Sequence, residues 1–437
     1  MLIHRRLLIT TPIILSLLIL AGCSGVVTQV QAMLITPTLP PTATTIPTAT
    51  LPSSAPTLQI IPTYAAGPTP TPNPIANVAV QNLTLPEPAA TQVPLLLGLT
   101  GFSPNINPLT GLEPENLENL ERRPALVKVS NYPRYGRPHA GLSAADIVFE
   151  YYIGEGDNRF LSLYYGQNSE KVGPLRSGRL IDAQLVNMYQ GILAYGNADP
   201  KVDKVLVDEL GQRAISFDDA NCPPICGAET HSVSGVFVDS AGLTNFSIGE
   251  GVDNSRPNLD GMLFDDNIPF SNQFAIELGV EYSLHNRGEW HYDPVSGKYL
   301  RTIETDKNST PENRFPQIPL IDRNTGEQLA FSNVIIVFAE YIEFAPTLHQ
   351  ILVWDVREKQ RAIFFRDGVM IDGYWRATDH YHPMHFYNNW GTPMALKPGN
   401  TWIIIVDPLS DFWQPHDGSW ELYFDYPHPT PTPEVPE

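Results

Sequence analysis

Basic side chains are scarce in this chain. Among 437 residues, Lys and Arg number 27 against 47 Asp and Glu, giving a formal net charge of −20. A chain this acidic is a poor partner for nucleic acid or for an anionic membrane surface, so no nucleic-acid partner is expected. Cysteine is rarer still, at 3 residues. Two of them sit in Cys222-Pro223-Pro224-Ile225-Cys226, whose spacing and lack of a preceding strand-to-helix pattern argue against a thioredoxin-like redox site. An exported setting and two prolines in the loop favour a local disulfide between Cys222 and Cys226. Several catalytic signatures are missing as well. There is no Gly-rich phosphate loop ending in Lys-Ser/Thr, no dinucleotide fingerprint, no Gly-x-Ser-x-Gly elbow and no His-Glu-x-x-His.

Proline, by contrast, is abundant at 42 residues and unevenly spread. The N-terminus comes first. His4, Arg5 and Arg6 precede an apolar run from Leu7 to Leu20 that is short for a membrane span. Leu20-Ala21-Gly22-Cys23 looks like a lipobox, in which Cys23 takes the lipid and becomes the mature N-terminus. Residues 1–22 are therefore expected to be a lipoprotein signal peptide. Residues 23–104 are expected to be a lipidated Cys followed by a disordered stalk. Its Thr/Ala/Pro runs, such as Pro68-Thr69-Pro70-Thr71-Pro72, cannot bury enough apolar area to offset ordering. In a polyproline-II conformation its Pro-rich part would reach up to roughly 180 Å. Residues 426–437 repeat that composition and are expected to be disordered. The expected location is extracytoplasmic, anchored by Cys23 to the outer face of the cytoplasmic membrane.

Between these flanks the pattern is globular. Short strand-type runs cover 124–130, 145–152 and 160–165. A helical period over 180–195 puts Leu180, Ile181, Leu185, Met188 and Tyr189 on one face, with Ile192 a turn later. A second helix is expected over 202–210, ended by Gly211. From about residue 284 the reading is strands: a hairpin at 290–302, then 334–338, 350–356, 361–366, 373–377 and 401–406. Asp367-Gly368 and Lys397-Pro398-Gly399-Asn400 mark turns. The fold class expected is α+β (mixed α/β), with an α/β N-terminal domain over 105–285 and a sheet-dominated α+β C-terminal domain over 286–425.

Several stretches resemble the YerB-like bacterial lipoprotein family, which is built from two domains of unknown function. In the first half these are Asn107-Pro108-Leu109-Thr110-Gly111, Arg123-Pro124-Ala125-Leu126-Val127-Lys128-Val129-Ser130-Asn131, Gly141 to Glu150, Glu155-Gly156, Arg159-Phe160 and Val172-Gly173-Pro174-Leu175-Arg176-Ser177-Gly178-Arg179. In the second half they include Asp322, Thr325-Gly326, Tyr374-Trp375-Arg376 and Leu396 to Trp402. The likeness spans roughly residues 105–410. It implies a two-domain lipoprotein and supplies no activity. Where the family has a Pro-His-Asn-Leu-Tyr type segment, this chain reads Thr230-His231-Ser232-Val233-Ser234. The Cys222–Cys226 loop and the His-rich stretch near 380 lie outside the family's pattern.

Three groups carry candidate chemistry. Arg176, Ser177 and Arg179 precede the helix expected at 180, where free N–H groups and the positive dipole end favour anions. The two Arg forks suit carboxylate or phosphate, Ser177 is a candidate helix cap, and Arg159 is a third anchor. The alternative for these arginines is internal pairing with Glu150, Glu155 or Asp182. The second group is Glu150, Glu155, Arg159 and His231, two carboxylates beside an arginine and an imidazole, suited to acid–base work on a glycan or ester. The third is His380, His382 and His385, with His349 as a distant fourth, candidates for a divalent metal if His-x-His lies on a strand. No other cofactor is expected. The leading function is binding of an anionic cell-wall or envelope ligand. The alternatives are an extracytoplasmic hydrolase of glycan or envelope polymer and a membrane-tethered protein scaffold.

Overall fold

The computed structural model describes residues 97–227, 235–310, 313, 315–377 and 379–428. The signal segment, Cys23, most of the stalk, His231 and residues 429–437 of the tail lie outside the described residues. Every described residue belongs to one unit, Leu85–Glu437.

The architecture is mixed α and β and dominated by sheet. In chain order its main elements begin with β1 (Ala125–Ser130), β2 (Ile147–Gly154), β3 (Asp157–Tyr164), α1 (Leu180–Met188), β4 (Ile192–Tyr195), α2 (Pro200–Leu210) and β5 (Ala214–Ser216). Next come α3 (Ser240–Gly249), β6 (Ala275–Ser283), β7 (Asn286–Asp293), β8 (Lys298–Glu304), β9 (Gln317–Pro319) and β10 (Ala330–Phe331). The chain continues with β11 (Asn333–Phe338), β12 (Val356–Arg366), β13 (Val369–Ala377), β14 (His385–Asn388), β15 (Thr401–Val406), β16 (Asp411–His416) and β17 (Gly418–Tyr423).

Ten strands form one sheet in the order β14-β13-β12-β11-β15-β2-β3-β1-β4-β5. Its centre is the parallel run β11, β15 and β2, in which Val334 pairs with Trp402 and Trp402 with Val148. Both faces of this centre are covered, which is why β2 and β15 are buried at every residue and read as near-continuous apolar runs. A second sheet has the order β9-β8-β7-β6-β17-β16, with β10 also on β8. The expected domain boundary at 285/286 falls in the turn of the β6–β7 hairpin, and the ten-stranded sheet takes strands from both sides of it.

Alternation along β2 assigns the layers. Phe149 and Tyr151 point to α1, meeting Tyr189 and Asp182. Glu150 points the other way, to Arg301 of the second sheet. Trp402, Trp290 and Phe331 pack edge-on between the two sheets, with ring centroids 5.1–6.0 Å apart.

Local chemistry accounts for the element ends. Asp199 caps α2 by accepting from Lys201 N–H, Pro200 opens it, and Gly211 at φ 56° ends it. The helix expected over 180–195 stops at Met188. Gln190 takes φ 50°, and Gly191 lies so close to Leu126 that a Cβ there would sit 2.1 Å from Leu126 Cδ1. The chain turns at that point, and Ile192–Tyr195 joins β1 as a parallel strand. Its apolar residues satisfy both periods, so the helix pattern ran on past the true end. The strand expected over 350–356 is instead the end of a short hairpin strand, Leu348–Ile351, and the start of β12. Among the described residues no helix is long and apolar enough to cross a membrane.

Candidate anion-binding site

The strand register brings Lys128, Tyr151 and Arg159 to the α1 face of the large sheet. Arg159 stands opposite both Tyr151 and Ser130, and Lys128 lies two residues before Ser130. Asp182, in the first turn of α1, faces them. Lys128 and Asp182 have no solvent-exposed side-chain surface, and Lys128 Nζ lies 3.0 Å from Asp182 Oδ1. The Tyr151 hydroxyl donates to the same oxygen and accepts from Lys128. The other carboxylate oxygen accepts the Arg179 backbone N–H at 2.7 Å. Asp182 therefore neutralises the lysine and caps its own helix. Arg179, not Ser177, occupies the N-cap position, and Ser177 Oγ donates to Asn197 Oδ1 at 2.8 Å instead.

The loop before α1 is held on two sides. Ser130 N–H donates to Pro174 O at 2.8 Å, Arg176 N–H to Lys128 O at 2.9 Å, and Gly196 N–H to Arg176 O at 2.8 Å. This frame fixes Arg176 and Arg179 near Arg159. Arg159 Nη1 donates to Ser177 O at 2.9 Å and Arg179 Nη1 to Gly178 O at 2.8 Å. Nε of Arg176 and Nε of Arg179 are buried without partners. Among the described residues none of the three guanidiniums is in an ion pair. Asp182, which acts on Arg159 and Arg179, is committed to Lys128, and Asp157 and Asp199 act on Arg176 and Arg179 from beyond ion-pair distance.

The electrostatics follow from burial. Burial pulls Arg159 well below its ordinary pKa, and Arg179 and Arg176 push the same way. Burial also lowers Arg176 and Arg179. Beneath them Lys128 is pulled down to about 7, first by burial, with Asp182 opposing and Arg159 and Arg179 adding to the drop. Three closely spaced cations, none in an ion pair among the described residues, can accept a multiply charged anion, each guanidinium offering a fork of donors.

The structure brings together Arg159, Arg176, Ser177 and Arg179, and does not add Glu150 or Glu155 to them. Glu150 is fully buried on the opposite face, accepting from Arg301 Nη2 at 3.2 Å, Trp402 Nε1 at 2.6 Å and Asn158 Nδ2. Burial raises its pKa, with Arg301 the largest opposing influence. Glu155 is exposed at the tip of the β2–β3 hairpin, at φ 56°. The two carboxylates are not arranged as a facing pair. Cys222 and Cys226 are joined as a disulfide.

The histidines are dispersed. His380 and His382 precede β14 in a bend, not on a strand, because Pro383 interrupts any ladder. His380 bonds Asp355 at 2.7 Å and stacks on Trp354 at 4.0 Å. His382 bonds Asp379 at 2.9 Å. His385 starts β14, its pKa lowered by burial. His349 is buried elsewhere, beside Glu343 and against Tyr152 and Tyr426. Among the described residues no group of three or more His, Cys, Asp or Glu is disposed to hold a metal ion.

Sequence reasoning missed Lys128 and Tyr151. The available signal was a lysine inside the apolar strand Ala-Leu-Val-Lys-Val-Ser, where burial demands a partner.

Comparison with known proteins places these residues in a family. The N-terminal domain model of a protein of unknown function (DUF3048) matches residues 109–222, and its C-terminal domain model matches residues 278–403. A Bacillus subtilis (strain 168) protein named "Putative lipoprotein YerB" is 26% identical over 315 residues, covering 69% of this chain and 86% of that protein. The chain belongs to the YerB-like family. The crystal structure of the YerB protein from Bacillus subtilis is also similar, with a TM-score of 0.55 and 26% identity, covering 70% of this chain and 97% of that one. Within this YerB-like chain, the N-terminal match contains the whole arginine cluster with Lys128, Tyr151 and Asp182, and the C-terminal match contains Arg301 and Trp402.

Proposed function

We propose that this YerB-like protein is lipid-anchored through Cys23 on the outer face of the cytoplasmic membrane and binds an anionic cell-envelope ligand at Arg159, Arg176 and Arg179. The observation that carries the reading is three neighbouring guanidiniums, two with a buried and unpartnered Nε, at the start of α1 in a chain of net charge −20. Desolvated cations outside any ion pair are costly, and a bound phosphate or carboxylate offsets that cost. The name of the Bacillus relative, a lipoprotein, supports the lipoprotein class. The long Pro/Thr-rich segment after Cys23 suits a tether that carries the folded part away from the membrane.

The test is a thermal-shift titration of the full-length protein with inorganic phosphate, glycerol phosphate and muropeptides. A ligand at 100 times its Kd adds roughly 2.7 kcal/mol, a rise of several degrees. The rise is expected in the wild type and should vanish in Arg176→Ala/Arg179→Ala. Equal shifts in both proteins would refute the reading. The hydrolase alternative loses support because Glu150 is sealed from solvent by Arg301, Trp402 and Asn158.

A further inference from the structure

A cavity of about 740 Å³ opens between residues 132–138 and the β8–β9 edge of the second sheet. It shares no lining residue with the arginine cluster. Its size falls in the range of sites that enclose one small molecule. At its floor lies Glu304, 1% exposed. One carboxylate oxygen is saturated: Oε1 accepts from the Tyr132 hydroxyl, from Arg137 Nη2 at 2.9 Å and from Arg134 Nε at 3.3 Å. The other, Oε2, is buried and has no hydrogen-bond partner. A buried carboxylate oxygen left empty is an acceptor waiting for a donor.

The surroundings narrow what that donor belongs to. Tyr135 lines the cavity at 69% exposure, and Ile318 lines it at 43%. An exposed ring and an aliphatic side chain at one opening give a flat apolar platform. The Arg134 and Arg137 guanidiniums lie 5.2 Å and 4.7 Å from the Tyr132 ring centre, which holds both in place. Two arginines against one glutamate leave the floor with one positive charge. At the rim Lys307 and Asp306 cancel. The site therefore offers a free acceptor for a hydroxyl, a surface for the apolar face of a ring, and one cation in excess.

We propose that this cavity binds an acidic sugar: a hydroxylated ring bearing one carboxylate or phosphate. A ring hydroxyl donates to Glu304 Oε2, the ring lies against Tyr135, and the anionic substituent meets the Arg134–Arg137 pair. This inference stands on the cavity and does not require the arginine cluster at α1.

The test is saturation-transfer NMR on the full-length protein with glucuronate, glucose 6-phosphate and glucose, each at about 10 mM, a concentration suited to millimolar affinities. Transfer to ring protons is expected for one or both acidic sugars, and weaker transfer for glucose. A preference between the acidic sugars reports whether the substituent recognised is carboxylate or phosphate. Tyr135→Ala should weaken binding about fivefold, the scale of one lost ring stack. Tyr135 makes no side-chain hydrogen bond among the described residues, so this variant keeps the fold. Arg176→Ala/Arg179→Ala should bind the sugars as the wild type does. No transfer from any of the three, or transfer unchanged in Tyr135→Ala, would overturn the inference. Loss in Arg176→Ala/Arg179→Ala with full binding in Tyr135→Ala would assign the anion to the other cluster and overturn it as well.

Discussion

His139 is a residue whose burial sets a pH dependence. It is fully buried, with Nε2 2.8 Å from Ser130 O and its ring 5.2 Å from that of Phe160, and Nδ1 has no partner. Burial pulls its pKa down to about 3, with Arg137 adding to the drop. Between that value and the ordinary 6.5, the unfolded chain holds a proton that the fold refuses. Stability at this site is therefore complete above pH 6.5 and falls as pH drops toward 3. Asp146 acts oppositely: burial raises it to about 6, so the fold keeps a proton there that the unfolded chain releases. A comparison of wild type with His139→Gln cancels Asp146. The unfolding free energy of the variant should fall less steeply across that window, by about one proton. Parallel curves from urea unfolding at a series of pH values would contradict this account.

The β2–β3 hairpin is the element that carries Tyr151, Glu150 and Arg159, and its tip is tightly built. Gly154, at φ 109°, packs so close to the 346–347 turn that an added Cβ would lie 1.9 Å from Pro346 O and 2.8 Å from Thr347 Cα. Gly154→Ala should therefore cost about 2 kcal/mol or more, read as a Tm lowered by several degrees. Gly326→Ala makes a control, since φ there is 75° but the new Cβ meets nothing within 4 Å. It should cost only about 1 kcal/mol. Equal Tm losses in the two variants would show that the close approach at Gly154 carries no weight. Elements of this kind were partly legible. β1 and β15 stand out as apolar runs, and α2 is announced by Asp199, Pro200 and Gly211. Residues 192–195 were not, because Ile-Leu-Ala-Tyr fits a helix face or a buried strand equally and only pairing with β1 decides.

On the scale of the whole molecule, the two halves of the sequence share one sheet and one interior. β15, from the far end of the chain, lies between β11 and β2. The Glu150–Arg301 pair then joins that sheet to the second, with both side chains at most 1% exposed. Removing one partner leaves an uncompensated buried charge. Glu150→Ala should lower the unfolding free energy by roughly 3–5 kcal/mol, measured by urea denaturation. The same experiment should give a single transition, coincident for probes in either half, because the shared sheet couples them. Two separated transitions would refute that coupling.

The sequence by itself determined the mixed, sheet-rich class, the family, and the identity of most strands, since these depend on apolar periodicity and turn residues within a few positions of one another. It also singled out Arg159, Arg176 and Arg179 as cations in an acidic chain. Only the tertiary structure decided how they are used. Strand register sets Arg159 on the same face as Lys128 and Tyr151, and a one-residue slip would turn it toward the second sheet. Register likewise buries Glu150 against Arg301, 151 positions away, and separates it from Glu155, its neighbour in sequence. Pairings over such distances leave no local pattern, because each partner satisfies its own strand's alternation whatever lies across the gap.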